Sequence, residues 1–246
     1  MKIAIIGSSR GIGKFIADNL VEHEVLRISR TLTGDNCYKA DVTDWKDMSL
    51  CANSIKNKFD HIDCLIYCAG VLGKIGPAMN IEPDSWANTI NVNLNGFFNT
   101  MRSFYDLLEK AENPKVIAFS GGGATKGRPN FSVYATSKCG LVRLVETLAE
   151  ELPRFRINAI APGSILTDMT HKVIAAGPEF VGKKEYDDAV KTDRLPYETL
   201  ELVKFLLSPE GSGVSGRLIA ARWDDWKNPE CYSGEAGFLR RIEPKV

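Results

Sequence analysis

Lys2-Ile3-Ala4-Ile5-Ile6-Gly7-Ser8-Ser9-Arg10-Gly11-Ile12-Gly13 is the stretch whose reading decides the fold. Its first five residues are mostly apolar and β-branched, the pattern of a strand buried on both faces. Glycines 7, 11 and 13 follow, and Ile12, Phe15, Ile16 and Leu20 then recur at helical spacing. The order is strand, glycine loop, helix. Glycines let the backbone turn tightly and come close to a pyrophosphate, and the helix N-terminus meets that anion with N–H donors and positive potential. The spacing is G-x-x-x-G-x-G, so an ordinary glycine-rich turn between strand and helix is the competing reading.

The alternation continues along the chain. Residues 24–29, 37–40, 63–68, 115–120, 157–160 and 216–220 read as further strands. Asp44 is placed to cap a helix whose apolar face is Trp45, Met48, Ala52, Ile55 and Phe59, with Trp45 assigned to packing. A long helical stretch spans 83–111. Inside it, Asn91-Val92-Asn93-Leu94-Asn95-Gly96 is poor in helix formers and predicts a local break or bulge. Another helix carries Leu141, Leu144, Val145 and Leu148 and ends at Pro153. Residues 162–194 form a partly helical segment long enough to cover a substrate, and a last helix spans 197–207. With no repeat or linker, the pattern predicts an α/β fold: one domain over residues 1–246, a doubly wound parallel sheet of about seven strands. Ligands in such sheets bind beyond the carboxyl ends of the strands. The glycine loop, Ala69-Gly70, Ser120 and Pro162-Gly163 all follow strand ends and so converge on one crevice.

Composition narrows the function. The 246 residues carry 31 basic and 31 acidic side chains, a formal net charge of zero. That argues against nucleic acid or an anionic membrane as partner. No apolar run approaches a membrane span, and the first strand follows Met1 directly, leaving no room for a signal peptide. A cytoplasmic protein is expected. The six cysteines, Cys37, Cys51, Cys64, Cys68, Cys139 and Cys231, are scattered without metal-ligand spacing and read as buried reduced thiols, with no metal site. His61 reads as a surface residue, and His171, in the segment 162–194, as a solvated residue or a substrate contact.

Of seven tyrosines, only Tyr134 has a lysine four residues later, Lys138. One helical turn apart, the two share a face. A fixed cation favours the phenolate, which suits proton exchange with a carbonyl or alcohol oxygen. Chains that prefer NAD usually end the second strand on an acid that binds the adenosine ribose. Here it ends Ile28-Ser29-Arg30-Thr31, and Arg10 stands in the glycine loop. Two guanidiniums beside an adenosine 2′-phosphate predict NADP (as NADPH) in preference to NAD.

These motifs, in this order, resemble the short-chain dehydrogenase/reductase family over residues 1 to about 220, a Rossmann-type fold. Gly7, Gly11 and Gly13, with the intervening Ser9, Arg10 and Ile12, match the cofactor loop. Asp41, followed by Val42, matches the acid whose neighbourhood holds the adenine. Cys68-Ala69-Gly70 matches an Asn-Ala-Gly strand end, and Asn93 the active-site asparagine. Pro162-Gly163, Ile165 and Thr167 match the segment beside the nicotinamide. The resemblance implies that Tyr134 is acid in ketone reduction and base in alcohol oxidation. By the same resemblance, Lys138 holds the nicotinamide ribose and lowers the tyrosine pKa, Asn93 anchors a relay water, and a serine steadies the substrate oxygen. It implies a small-molecule carbonyl or alcohol substrate and a homodimer or homotetramer paired through the helix around 99–111 and the one carrying Tyr134.

The chain departs from the pattern. Ile6 replaces a threonine, and Cys68 an asparagine. In an ungapped comparison the catalytic serine falls at Gly121, thirteen residues before Tyr134, with Ser120 one position earlier. A shift in the glycine-rich turn brings Ser120 into place; Ser132 and a water are the alternatives. The C-terminal stretch 221–246 is atypical, and its Trp223 and Trp226 suit either packing of that tail or a stacking wall for a sugar-like substrate. A sugar-nucleotide epimerase or dehydratase, or a non-catalytic protein that kept the fold, are the competing functions.

Overall fold

The structure, a computed structural model, describes residues 1–228. Among them, β1 (Lys2–Ile6), β2 (Glu24–Ser29), β3 (Cys37–Lys39), β4 (Cys64–Tyr67), β5 (Lys115–Phe119), β6 (Arg156–Ala161) and β7 (Leu218–Ala220) form one parallel sheet in the order β3-β2-β1-β4-β5-β6-β7. Register is set by the apolar side chains. Ala4 pairs with Leu26 on one side and Leu65 on the other, so residues of like orientation stack across the sheet.

Both faces are buried. Ala4, Ile6, Leu65 and Tyr67 face a layer built from α2 (Trp45–Lys56), α4 (Gly96–Glu109) and α5 (Ser132–Glu151). Ile3, Ile5, Cys64 and Ile66 face α1 (Gly11–Asn19) and α9 (Tyr197–Leu207). Each fully buried aliphatic side chain contributes about 1.5–3 kcal/mol, which is why the strands read as continuous apolar runs rather than alternating ones.

The helices form where sequence pattern and caps agree. Asp44 caps α2, accepting from the Lys46 N–H at 2.8 Å and the Asp47 N–H at 3.3 Å. Trp45, expected to pack, is instead half exposed. It occupies the first helical position, and the buried face is Met48, Cys51, Ala52 and Ile55. Helix α3 (Pro83–Ile90) leads into a π-helical turn at Asn91–Asn95 before α4 begins, so the expected break is a wide turn inside a continuous helix. The strands and helices elsewhere lie within two residues of their expected ends.

Thiol burial divides. Cys51 and Cys64 are buried, Cys37 and Cys68 are partly covered, and Cys139 is exposed, contrary to expectation, because it lies on the outer face of α5. Cys231 lies outside the described residues, as does the part of the tail beyond 228. No helix among the described residues is long and apolar enough to cross a membrane.

The segment expected to cover a substrate folds as three short helices, α6 (Asp168–Ala176), α7 (Pro178–Val181) and α8 (Lys183–Val190). Val173, Val181 and Ala189 from these helices pack against Leu72, Phe131 and Tyr134.

Candidate active site

The strand order reverses between β1 and β4, and their carboxyl ends meet there. Gly7 has φ +83°, and a Cβ on it would lie 2.7 Å from the Ala69 nitrogen. A Cβ on Gly13 would lie 2.4 Å from the Gly7 carbonyl oxygen. Only glycine fits either position, so the loop lies flat and its backbone is left bare at the start of α1. Arg10, at the N-cap of that helix, makes no side-chain capping bond. Uncapped first-turn N–H groups beside a side-chain-free loop fit a pyrophosphate. Gly11 faces Thr167 across the crevice, its Cβ position 3.8 Å from the Thr167 Cγ2.

The two arginines expected at the adenosine end are both exposed, and each holds an acid. Arg10 reaches Asp168 on α6 at 2.8 Å, and Arg30 reaches Asp41 at 3.7 Å. Partial burial pushes the Asp41 carboxyl up, but hydrogen bonds from Thr43 and the Arg30 charge outweigh it and hold it below the usual range.

A cavity of about 1310 Å³ opens at the carboxyl ends of the strands. Ile12, Gly70, Ser120, Tyr134, Lys138, Pro162, Gly163, Ile165 and Thr167 all line it. Gly7, Ser9, Gly11, Gly13, Ala69 and Val42 do not, and neither does Ser132. Trp223 is exposed on the cavity wall against Gly163, whereas Trp226 is buried, lies tilted against Phe205 and donates its indole N–H to the Ala221 carbonyl at 2.9 Å. The two tryptophans therefore part company: one packs the tail, the other faces the cavity. His171 is exposed and does not line the cavity.

Tyr134 and Lys138 are buried on one face of α5. Burial raises the Tyr134 pKa, and Arg128 is the charge that opposes the rise. The Lys138 ammonium, the cation expected beside this tyrosine, sits 5.8 Å from the Tyr134 ring centroid and donates to the Phe119 carbonyl at 2.7 Å. Burial lowers the Lys138 pKa from 10.5 to about 8. Burial also pushes the neighbouring Cys68 thiol far up, so it stays protonated.

Asn93 lies in the π turn and is fully buried. Its side chain closes two bonds with the Val71 backbone, accepting from N–H and donating to C=O at 2.8 Å each, and donates to the Ser137 hydroxyl at 2.9 Å. The amide is thus committed to holding the loop after β4 against α5. The Ser137 hydroxyl in turn donates a hydrogen bond to the Tyr134 carbonyl at 2.7 Å.

Ser120 is buried on the cavity wall and its hydroxyl has no partner among the described residues. An unpaired buried hydroxyl costs roughly 1–3 kcal/mol, a cost that a substrate oxygen would relieve. Gly121 explains the missing serine sterically: a Cβ there would lie 2.3 Å from the Tyr134 hydroxyl oxygen. Tyr134 occupies the room that a side chain at 121 would need.

Sequence reading missed Arg128 and Glu185. Arg128 lies in the irregular stretch between β5 and α5, where periodicity is silent, and its partner is 57 residues away. The one available signal was an arginine in a Gly/Pro-rich turn six residues before Tyr134.

Residues 10–221 match the family model described as enoyl-(acyl carrier protein) reductase. The chain is 31% identical over 189 residues to a 3-oxoacyl-[acyl-carrier-protein] reductase of Thermotoga maritima, covering 74% of this chain and 73% of the relative. It is 30% identical over 256 residues to a short chain dehydrogenase of Aspergillus terreus, covering 95% of this chain but only 54% of that longer relative. A short chain dehydrogenase of Shigella flexneri, solved with NADP, shares the fold at a TM-score of 0.80 and 22% identity, covering 90% of this chain and 96% of the other. On the matched sequence, the strand order and the glycine loop, the chain belongs to the short-chain dehydrogenase/reductase family of nicotinamide-dependent oxidoreductases.

Proposed function

We propose that this oxidoreductase uses NADP and interconverts a carbonyl with a secondary alcohol, Tyr134 moving the proton. The observation that carries the reading is the Tyr134 hydroxyl, held protonated by burial and lying against Gly121, the residue next to the unpartnered Ser120 hydroxyl, on the wall of one cavity. In carbonyl reduction the Tyr134 O–H bond breaks and its proton goes to the carbonyl oxygen, where the C=O π pair becomes the new O–H bond. The phenolate left behind takes a proton back from solvent. In alcohol oxidation the same bonds form and break in reverse. Ser120 donates to the substrate oxygen and steadies the charge that develops on it. Lys138 sets a positive charge beside this wall, and Asn93 fixes the backbone at Val71 and, through Ser137, the first turn of α5.

Bound nicotinamide supplies or accepts the hydride. Gly7, Ser9, Gly11, Ile12 and Gly13 would hold its pyrophosphate, and Asp41 and Val42 its adenine. Ala69, Gly70, Pro162, Gly163, Ile165 and Thr167 would border the nicotinamide half. Arg10 and Arg30 would turn from Asp168 and Asp41 to a 2′-phosphate, and the absence of an acid at the end of β2 supports the same choice. The Shigella flexneri relative of the same fold was solved with NADP. A homodimer or homotetramer through α4 and α5 fits the half-exposed Phe98 on α4.

Tyr134→Phe is expected to lower turnover roughly 10²–10⁴-fold across a panel of ketones and alcohols while NADPH still binds by fluorescence titration. Near-normal turnover in that variant would sink the proton-transfer role. In the wild type the same titration is expected to give NADPH roughly tenfold tighter binding than NADH, from charge-assisted bonds to the 2′-phosphate. Tighter NADH would refute the cofactor choice and leave the Tyr134 reading standing.

A further inference from the structure

Arg128 touches three separate elements around Tyr134. Its guanidinium lies 3.7 Å over the Phe131 ring, immediately before α5, and 5.7 Å from the Tyr134 ring centroid. Its Nη1 donates to the Gly122 carbonyl at 3.4 Å, in the turn whose next residue back, Gly121, abuts the Tyr134 hydroxyl. Its other side holds Glu185 of α8, with Nε donating to Oε2 at 3.3 Å and Nη2 to Oε1. The side chain is only 18% exposed. A guanidinium this sequestered acts through a poorly screened medium.

We propose that Arg128 is a positioning residue that fixes the Tyr134 ring against the glycine turn and supplies the positive field in which its hydroxyl gives up a proton, and that Glu185, arriving on the covering helix α8, attenuates that field. The inference rests on Tyr134 as the proton-transfer group. It gives the site a control absent from the Tyr–Lys pair: movement of α8 carries Glu185 towards or away from Arg128 and so changes how acidic Tyr134 is while the cavity is covered.

The other charges around Tyr134 are placed differently. On its own helix, Lys138 adds a second cation 5.8 Å from the Tyr134 ring centroid while donating to the Phe119 carbonyl. From the turn after β5 the cavity also receives Lys126, which is exposed. From α8 it receives Lys183, paired with Asp187 at 3.4 Å, together with Lys184 and Asp188. Asp224 and Asp225 line the far wall beside Trp223, and Cys68 stays a neutral thiol. Arg128 alone among these stands over the rings of both Phe131 and Tyr134.

The test reads Tyr134 directly. Phenolate absorbance in the near ultraviolet is titrated in the full chain, each variant blanked against the same variant carrying Tyr134→Phe, so no turnover is needed. Arg128→Met and Arg128→Gln are expected to make Tyr134 roughly tenfold less acidic, and Glu185→Gln several-fold more acidic. Opposite directions are the signature of a field. A clamp that merely kept α8 closed would, when broken from either side, wet the tyrosine and make it more acidic in every variant. Movement in one common direction, or no movement, overturns the proposal. Where Arg128→Met fails to fold by circular dichroism, Arg128→Gln decides in its place. Loss of activity in Tyr134→Phe bears on the proton-transfer reading alone and leaves this titration to be judged on its own result.

Discussion

Gly121→Ser, the change that restores the serine found at this point in the family pattern, is expected to lower turnover roughly a hundredfold instead of raising it. The glycine has no positive φ, so its backbone accepts a serine. What refuses it is Tyr134: the new Cβ would stand 2.3 Å from the hydroxyl oxygen and 3.1 Å from the ring carbon that bears it. One of the two must move by an ångström or more. Displacement of that size at a reacting group costs on the order of 10²-fold in rate. The overpacking itself costs about 1–3 kcal/mol of stability. Steady-state kinetics and a thermal melt check both parts. Turnover above wild type would mean that Tyr134 yields easily and that the site works better with a hydroxyl at 121 than with Ser120.

Lys138→Met is expected to stabilise the fold while disabling the enzyme. The buried ammonium ionises near pH 8 where an ordinary lysine does so at 10.5. At neutral pH its desolvation therefore costs about 3 kcal/mol. Methionine removes that cost and loses the hydrogen bond to the Phe119 carbonyl, worth about 1 kcal/mol. The net gain of about 2 kcal/mol raises Tm by roughly 4–8 °C. The sign with pH follows from a folded pKa that lies below the unfolded one. The penalty is present in full below pH 8 and fades as pH rises towards 10.5, where the unfolded lysine also loses its proton. The variant's advantage is thus largest at neutral pH and closes in alkali. Melts across that range, run beside turnover assays expected to fall roughly 10²-fold or more, check it. A variant less stable than wild type at neutral pH would show that Lys138 is better accommodated than its burial implies.

How much of this was legible from residues alone depends on the range of the interaction concerned. β2 and α9 could be read to the residue, because the ends of β2 are fixed by its apolar pattern and those of α9 by Pro196 and Pro209. The wide turn at Asn91–Asn95 was legible for the same reason, since three asparagines and a glycine cannot sustain an ordinary helix. Asp44 as a cap was legible because a cap acts within three residues. Trp45 and Cys139 were misjudged because periodicity says which side of a helix is apolar but not how far along it a neighbour extends. The charges beside Tyr134 were legible only in part. Spacing on α5 puts Lys138 near Tyr134, but only the folded chain shows that its ammonium also donates to the Phe119 carbonyl and that Arg128 approaches from a loop.

The wide turn has a further consequence. One extra residue in a helix rotates everything after it by about 100° relative to an uninterrupted helix. The apolar face of α4, with Phe97, Met101, Phe104 and Leu108 against the sheet, is therefore out of phase with α3 by that amount. Removing a single residue from 91–95 would restore ordinary helical phase and, in doing so, swing either that face off the sheet or Asn93 off Val71. The length of this segment is thus as much a part of the site as the identity of Asn93: a chain with the asparagine and the wrong count has the letter of the motif without its geometry.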